Sequence, residues 1–505
     1  MLKRTLALTL ALICCLGVFA GCGGNNSNAG DGKVQMIPVP FAEKPTVQLY
    51  MPANNQLEVE GCITDKLIEK AINVNFEIIE MQTNDQMQGM LAQRIVPDLT
   101  YNSGSDKGHD LGQKGAYINI YDYLDYMPNV KAFLEKNQDT VKAFEDANGA
   151  LYALPIGADA NVTTYCWIWR KDILDKHNLS IPTTQKEWED TIKTLKGLYP
   201  SSYPFILRDT YAYDNWWLNW GLKPYTGTGC SLVPQLDGKV DYPFIRPEYK
   251  EWITYMRKLI VDGLLYEGWQ DVDTSKWYEF FANDRSFVTW DKLDRIPYLE
   301  QNVGSVNPNV DFVASPGFAF GSKGVDGSYA DNNTYSYFIG NNKNLSNTLA
   351  YLNWLYSEEG MHVTNWGAEG ETYTVDENGE KNFKPEILSE FAVTGLTMPF
   401  LSGAKKFDAY AAAQDPAVRE DMETILPHAT HTYPTGTLFN SEEAQVIDVY
   451  KVGVNEKAKE YMAKFMLGDK DIEKDWDAYL KDLYDLGLQK VIDVHLSAYK
   501  RQGIG

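Results

Sequence analysis

The stretch from Thr46 to Tyr101 limits the folds open to this chain more than any other. TVQLYM (46–51) reads as a strand and Ile63 to Ile72 as an amphipathic helix with Leu67, Ile68, Ala71 and Ile72 on one face. VNFEIIEM (74–81) reads as a second strand, Asp85 to Ile95 as a second helix, and Asp98 to Tyr101 as a third strand. Strands separated by helices return to the same edge of a sheet, so β-α-β-α-β requires parallel pairing with right-handed crossovers. In open sheets of that kind, ligands bind beyond the carboxyl ends of the strands, near the switch in strand order. The segments leaving those ends, Pro52-Ala53-Asn54-Asn55 and Asn102-Ser103-Gly104-Ser105, are small and polar. That suits a polar ligand, and it suits an ordinary turn equally well.

At 505 residues the chain exceeds what one hydrophobic core holds, so two large lobes or several domains are expected. Residues 1–21 form a targeting signal: Lys3 and Arg4 make its basic start, and the apolar run from Thr5 to Val18 is too short to span a bilayer. Phe19-Ala20-Gly21-Cys22 places small residues before a cysteine. This resembles a bacterial lipoprotein signal, in which Cys22 becomes the lipid-modified first residue. An ordinary secretory signal cleaved at Ala20 or Gly21 is the alternative. Residues 22–42 contain GGNNSNAGDGKVQ, which has nothing to bury and reads as a flexible tether, useful when one end is held at a membrane.

Without the signal, 44 basic residues (46 less Lys3 and Arg4) stand against 69 acidic ones, a net charge of about −25. Such a surface repels phosphate backbones and argues against nucleic acid as a partner. Beyond Cys22, the cysteines Cys62, Cys166 and Cys230 are widely separated and lack a CxxC pair. They imply neither a zinc site nor a disulfide framework, and leave open one disulfide among them. No later run is long and apolar enough to cross a bilayer.

Further along, Thr184 and Glu187 have the spacing of a capping box ahead of a helix with Trp188, Ile192 and Leu195 on one face. YAYDNWWLNWG (211–221) is rich in tryptophan, Tyr249 to Val261 is amphipathic, and Thr334 to Gly340 reads as a strand. Leu345, Leu349, Leu352 and Leu355 then mark a helix that Gly360 is expected to stop. The loop after it interleaves Trp366, Glu369 and Tyr373 with Gly367 and Gly370, as a surface meeting a polar ring would, or as an aromatic lid over the core would. The C-terminal third shows three apolar helical stripes, the first two stopped by Gly468 and Gly487.

ALYALPIG (150–157), WRKDILDKHNLSIPTTQKEWEDTIKTLK (169–196), YKEWITYMRKLIVDGLLYEG (249–268), LNWLYSEEGMHVTNWGAEGETY (352–373) and FMLGDKDIEKDWDAYLKDLYDLGLQKVIDVHLSAYKR (465–501) occur in this order behind a lipoprotein-type signal. Together they resemble the extracellular solute-binding lipoproteins of ABC importers, in the family-1 carbohydrate-binding group. The resemblance implies an α/β, two-lobed, type II periplasmic-binding-protein-like fold: parallel-rich sheets flanked by helices, a hinge of crossing strands near 155–165 and 315–335, and a helical C-terminus. It places residues 43–155 and 330–390 in one lobe and 156–329 and 391–505 in the other. It further implies a monomer that takes an oligosaccharide into the cleft, an ABC permease as partner and no cofactor. Alginate- and fructan-binding relatives carry a DxNxNGxxDE calcium loop soon after the PTT helix. Here GLYPSSYPFILRD (197–209) lacks the carboxylate ladder, so no structural calcium is expected there. Asp376-Glu377-Asn378-Gly379-Glu380 reads as a tight turn instead.

A sugar offers hydroxyls at its edge and C–H groups on its faces, so its site needs flat aromatic planes and planar polar side chains. By the resemblance, Trp290 and Tyr373 stand where the family places stacking aromatics, and Trp167 follows the first crossing. Trp217 and Trp366 join them as candidate planes, while Trp188 and Trp354 read as structural. Glu369 is the leading polar candidate, ahead of Asp98, Asn102 and Asp159 at strand ends and hinge. Each has a structural reading as well; Asp98 could cap backbone amides and Asp159 brace the crossing. No GxSxG elbow, HExxH, P-loop or dinucleotide fingerprint is present, and His428 and His431 read as a solvent-facing loop. A receptor is therefore expected rather than an enzyme. The same fold taking a peptide is the runner-up, and a surface glycan-degrading enzyme the outsider.

Overall fold

The computed structural model describes residues 34–502 apart from 53–57, 82–88, 91–94, 104–110, 143, 159–163, 209–215, 224–232, 236, 332–334, 433–436 and 438. The signal, Cys22 and most of the expected Asp85–Ile95 helix therefore lie outside the described residues. Strands β1 (Thr46–Pro52), β2 (Asn75–Met81) and β3 (Leu99–Ser103) form close to the positions their patterns predict, with the helix Ile63–Ile72 between the first two. They are followed by β4 (Ala153–Pro155), β5 (Gly157–Ala158), β6 (Tyr165–Arg170) and the hairpin β7 (Val233–Pro234) and β8 (Val240–Asp241). Next come β9 (Val288–Lys292), β10 (Phe312–Ser315), β11 (Ser328–Asp331) and β12 (Tyr335–Ile339). The last are the hairpin β13 (Tyr373–Val375) and β14 (Lys381–Phe383), then β15 (Ala404–Lys405) and β16 (Ala429–Thr432).

The first sheet has the order β2-β1-β3-β12-β4. β1 is parallel to β2 and β3, as the crossover pattern demands, and β12 is antiparallel to both β3 and β4. One edge of this sheet therefore gathers the carboxyl ends of β1, β3 and β4. The second sheet, β10-β6-β9, is antiparallel throughout, a departure from the parallel-rich expectation. All six side chains of β6 are buried, so helices cover both faces of this strand.

Two core clusters divide most of the chain. One draws on residues 41–156, 337–356 and 400–401, the other on 165–320 with 447–491, flanked by a third built from 166–314 and 410–425. The first core runs past residue 390 to Phe400 and Leu401. Between the cores the chain forms two short parallel pairs, β5 with β15 and β11 with β16. The crossing thus has a third component, residues 404–432, beyond the two segments expected. His431 belongs to it: it lies in β16 opposite Ala330, a correction to the loop reading.

Local signals act largely as their chemistry dictates. Thr184 caps the helix Gln185–Leu198 by accepting from the Glu187 amide at 3.3 Å. Gly468, at φ 86°, ends the helix Ser441–Leu467. Gly360 behaves differently. The leucine-striped helix stops at Leu355, and Gly360 sits in the first turn of a second helix, Glu358–Asn365, whose N-cap Ser357 accepts its amide at 3.0 Å. A Cβ there would lie 2.1 Å from the Trp354 carbonyl oxygen, so close approach of two helix ends, not termination, requires the glycine. Cys62 and Cys166 are free, buried and in different cores, which removes the disulfide between them; Cys230 lies outside the described residues.

His495, on the helix Leu488–Arg501, is 1% exposed and donates from Nδ1 to the Val491 carbonyl at 2.8 Å. Burial, with Lys451 adding to it, pulls its pKa down to about 4. The folded chain holds the ring neutral while the unfolded chain protonates it below about 6.5. Its contribution to stability is therefore complete above that pH and lost as the pH falls toward 4. Denaturant titrations of wild type and His495→Gln across this window should differ in slope by up to about 1.4 kcal/mol per pH unit. Parallel profiles would show that His495 is not a buried neutral group.

Candidate functional site

Three of the expected stacking planes are core. Trp167 and Trp290 face each other in register across β6 and β9, and both are fully buried. The Trp167 ring lies 5.2 Å from Trp290, 5.4 Å from Trp188 and from Trp216, and stacks on Phe318 at 5.8 Å. Trp217 packs edge-on against Phe244, Tyr249 and Trp252 at 5.2–5.7 Å. Reading these three as ligand planes is corrected. Trp167 and Trp290 lie on buried strands and Trp217 in the buried short helix Trp217–Trp220, so none turns its ring toward a cleft.

Asp98 is corrected likewise. It precedes β3, at the sheet edge opposite the carboxyl ends. Its buried carboxylate accepts from the Gln48 amide at 2.9 Å and from the side-chain amides of Asn342 and Asn344, both at 2.8 Å. It braces β1 and β3 against the turn after β12. Asn102 lies on β3 opposite Ser336, toward the carboxyl edge. Asp159 and the loops leaving β1 and β3 lie outside the described residues.

The 366–373 loop keeps two of its three candidates together. Trp366 caps the helix Glu358–Asn365, stacks on Phe383 at 4.8 Å, meets Tyr373 edge-on at 5.6 Å, and donates from Nε1 to Asp408 at 3.1 Å. Thr372 ties the turn, its hydroxyl donating to the Trp366 carbonyl at 2.6 Å and accepting from the Ala368 amide at 2.9 Å. Tyr373 is 5% exposed, with its hydroxyl 2.9 Å from His362 Nε2. Trp366 is equally buried at 5%, and of the two only Trp366 lines the cavity described next. Glu369 is exposed to solvent. The 376–380 segment is the tight turn expected: Asp376 accepts from the Asn378 and Glu380 amides between β13 and β14.

Beside Trp366 opens a cavity of about 840 Å³. The helix Pro128–Lys136 contributes Asn129, Phe133 and Lys136, followed by Asn137; the 356–366 segment contributes Tyr356, Glu358, Met361 and His362. β14 adds Lys381, and the crossing segment adds Ala404, Lys406, Phe407 and Asp408. The Tyr356 hydroxyl donates to the carbonyl of Pro155, the last residue of β4, at 2.8 Å, which fixes the cavity at the carboxyl edge of the first sheet. Lys381 Nζ stands 3.4 Å from His362 Nδ1, so Nδ1 accepts and Nε2–H is left to donate to Tyr373. Burial first, then Lys381, holds the His362 pKa below its ordinary value, keeping the ring neutral at neutral pH. Aromatic faces, side-chain amides, carboxylates and ammonium groups thus line one hollow.

Of the predicted residues that are described, only Trp366 lines this cavity. Lys381, Lys406 and Asp408 come from a stretch with no readable motif, and the crossing of 404–408 against the first core brings them in. Asn129 and Phe133 carry no local signal beyond helix periodicity. Among the described residues no group of three or more His, Cys, Asp or Glu is arranged to hold a metal ion, and no helix is long and apolar enough to cross a membrane.

Separate α/β cores joined by paired crossing strands, with a polar and aromatic hollow beside the crossing, define a solute receptor of the type II periplasmic-binding-like fold. The alginate-binding protein AlgQ2 superposes with a TM-score of 0.71, covering 93% of this chain and 100% of its own at 20% identity, which shows the fold. The chain belongs to the bacterial extracellular solute-binding protein family, which matches residues 63–366. Among its relatives, the fructooligosaccharide ABC transporter substrate-binding protein FusA of Streptococcus pneumoniae is 23% identical over 96% of both chains. Lipoprotein LipO of Bacillus subtilis is 22% identical, covering 89% of this chain and 88% of its own.

Proposed function

We propose that this chain is a lipid-anchored receptor on the outer face of the cell membrane, working as a monomer, that captures an oligosaccharide and hands it to the permease of an ABC importer. The observation that carries the reading is the Trp366 wall. An indole braced by Phe383 and Tyr373 lines a hollow that also holds the planar groups of Asn129, Asn137 and Asp408. Aromatic faces for C–H surfaces and paired donors and acceptors for hydroxyls are what a sugar ring requires. The signal and the tether after Cys22, with LipO a lipoprotein, support the anchor, and FusA, an ABC transporter substrate-binding protein, supports the transport role. Capture and release, not bond cleavage, is the work assigned to it, with the paired strands β5–β15 and β11–β16 absorbing closure.

Micromolar affinity, about −8 kcal/mol, suffices for such a role. Calorimetry of the mature chain against panels of oligosaccharides and peptides should find an oligosaccharide that binds. Trp366→Ala should weaken it tenfold or more, the loss of one stacking plane being about 1–3 kcal/mol. A thermal melt alongside separates lost binding from loosened packing around Phe383 and Tyr373. Peptide binding with no glycan binding would overturn the reading, and release of product from a polysaccharide would make the chain an enzyme.

A further inference from the structure

The cavity beside Trp366 is charged against the trend of the chain. The sequence carries a net −23, yet this hollow collects Lys136, Lys381 and Lys406 against two carboxylates, Glu358 and Asp408. Asp408 accepts the Trp366 indole N–H, and Glu358 is exposed to solvent. Among the described residues no carboxylate lies within 4.0 Å of any of the three ammonium groups. Several lysines elsewhere do take a nearby carboxylate, as Lys171 does with Asp175, Lys186 with Asp190 and Lys258 with Asp262. Lys381 and Lys406 are moreover half-buried. The neighbours of Lys381 are neutral: His362 Nδ1 at 3.4 Å, and the rings of Trp366 and Tyr373 centred 5.3 and 5.6 Å from its nitrogen. Neutral partners orient an ammonium group without cancelling its charge. A half-buried cation in that position gains most from an anionic oxygen, because charge-assisted hydrogen bonds strengthen as water is excluded.

Building on the oligosaccharide reading, we infer that the saccharide is acidic: a uronic-acid ring lies against Trp366 and its carboxylate is taken up by Lys381 and Lys406. The aromatic wall accounts for the ring and the lysines for the charge. A cavity of about 840 Å³ has room for the neighbouring units of a short chain. Lysine suits this task as a compact point charge that accepts a carboxylate from several directions.

Calorimetry of the mature chain against oligomers of galacturonate, glucuronate and mannuronate, beside the same oligomers with their carboxyl groups reduced to alcohols, tests this. A uronate oligomer should bind, its reduced form at least about tenfold more weakly, with an affinity that falls as salt rises. Lys406→Gln should weaken the uronate about tenfold while leaving the melting midpoint unchanged. Lys381→Gln should do the same to the uronate. Equal affinity for the acidic and reduced forms, or full uronate affinity in Lys406→Gln and Lys381→Gln, overturns the inference. Binding of a neutral oligosaccharide with no uronate bound also overturns it and leaves the sugar receptor intact, whereas binding of no saccharide in any panel brings down both.

Discussion

Trp167→Ala is expected to cost about 3–5 kcal/mol of folding stability, the range for emptying a buried aromatic site. The indole is fully buried and touches Trp188, Trp216, Trp290 and Phe318 at 5.2–5.8 Å, so its removal leaves a hole lined by other large, rigid rings. Rigid neighbours relax into a cavity poorly, which puts the loss toward the upper end of the range. Denaturant unfolding, followed by tryptophan fluorescence, should show an early transition assigned to the second core. Ligand affinity measured below that transition should be close to wild type. A variant that unfolds like wild type but has lost its ligand would restore Trp167 to the binding surface. Trp167→Phe, which keeps a ring in the site, should recover most of the loss.

Asp98→Ala is expected to destabilise the first core by roughly 3 kcal/mol. Three donors, the Gln48 amide and the side chains of Asn342 and Asn344, lose their shared acceptor in one step. A hydrogen bond to a charged acceptor contributes about 1.5–3 kcal/mol, and the asparagines' remaining bonds to the Val96 and Thr46 carbonyls keep the total near the top of that range. The effect should be local: hydrogen exchange at the Gln48 amide and along β1 and β3 should rise while the second core stays protected. Unchanged protection at Gln48 would show that the bracket carries no load. Oligosaccharide binding should weaken only as far as the first sheet loosens, because Asp98 lies at the edge away from the cavity.

These two substitutions mark where the sequence could and could not be read. Strands β1 to β3, the Thr184 cap and the Gly468 stop are local events, each set by neighbours within a few residues, and each forms in line with its pattern. Asp98 is read correctly as a strand-end carboxylate and incorrectly as one at the cleft. The residue immediately precedes β3, and only strand polarity within the assembled sheet tells one edge from the other. Gly360 is required, but by the Trp354 carbonyl oxygen of the preceding helix rather than by a left-handed stop.

The loop from Trp366 to Tyr373 shows the same division inside one motif. Its glycines, aromatics and carboxylate announce a special surface, and Trp366 does reach a hollow. Tyr373 and Glu369 have the same residue-level credentials, yet one packs edge-on against Trp366 and the other faces solvent, a choice made by the Thr372 turn and the hairpin that follows.

By itself, then, the sequence determined the parallel start of the first sheet and its local caps, because periodicity and capping are written in neighbouring residues, while the order of its motifs carried the resemblance to the solute-binding family. Tertiary structure alone decided which aromatics are core and which line a wall, and it alone brought Lys136, Lys381 and Lys406 together. An indole satisfies a core and a sugar equally well, so its neighbours in space, not its identity, settle its role. Lys136 is far along the chain from Lys381 and Lys406, and no local pattern encodes a charge cluster that exists only once the crossing strands have paired.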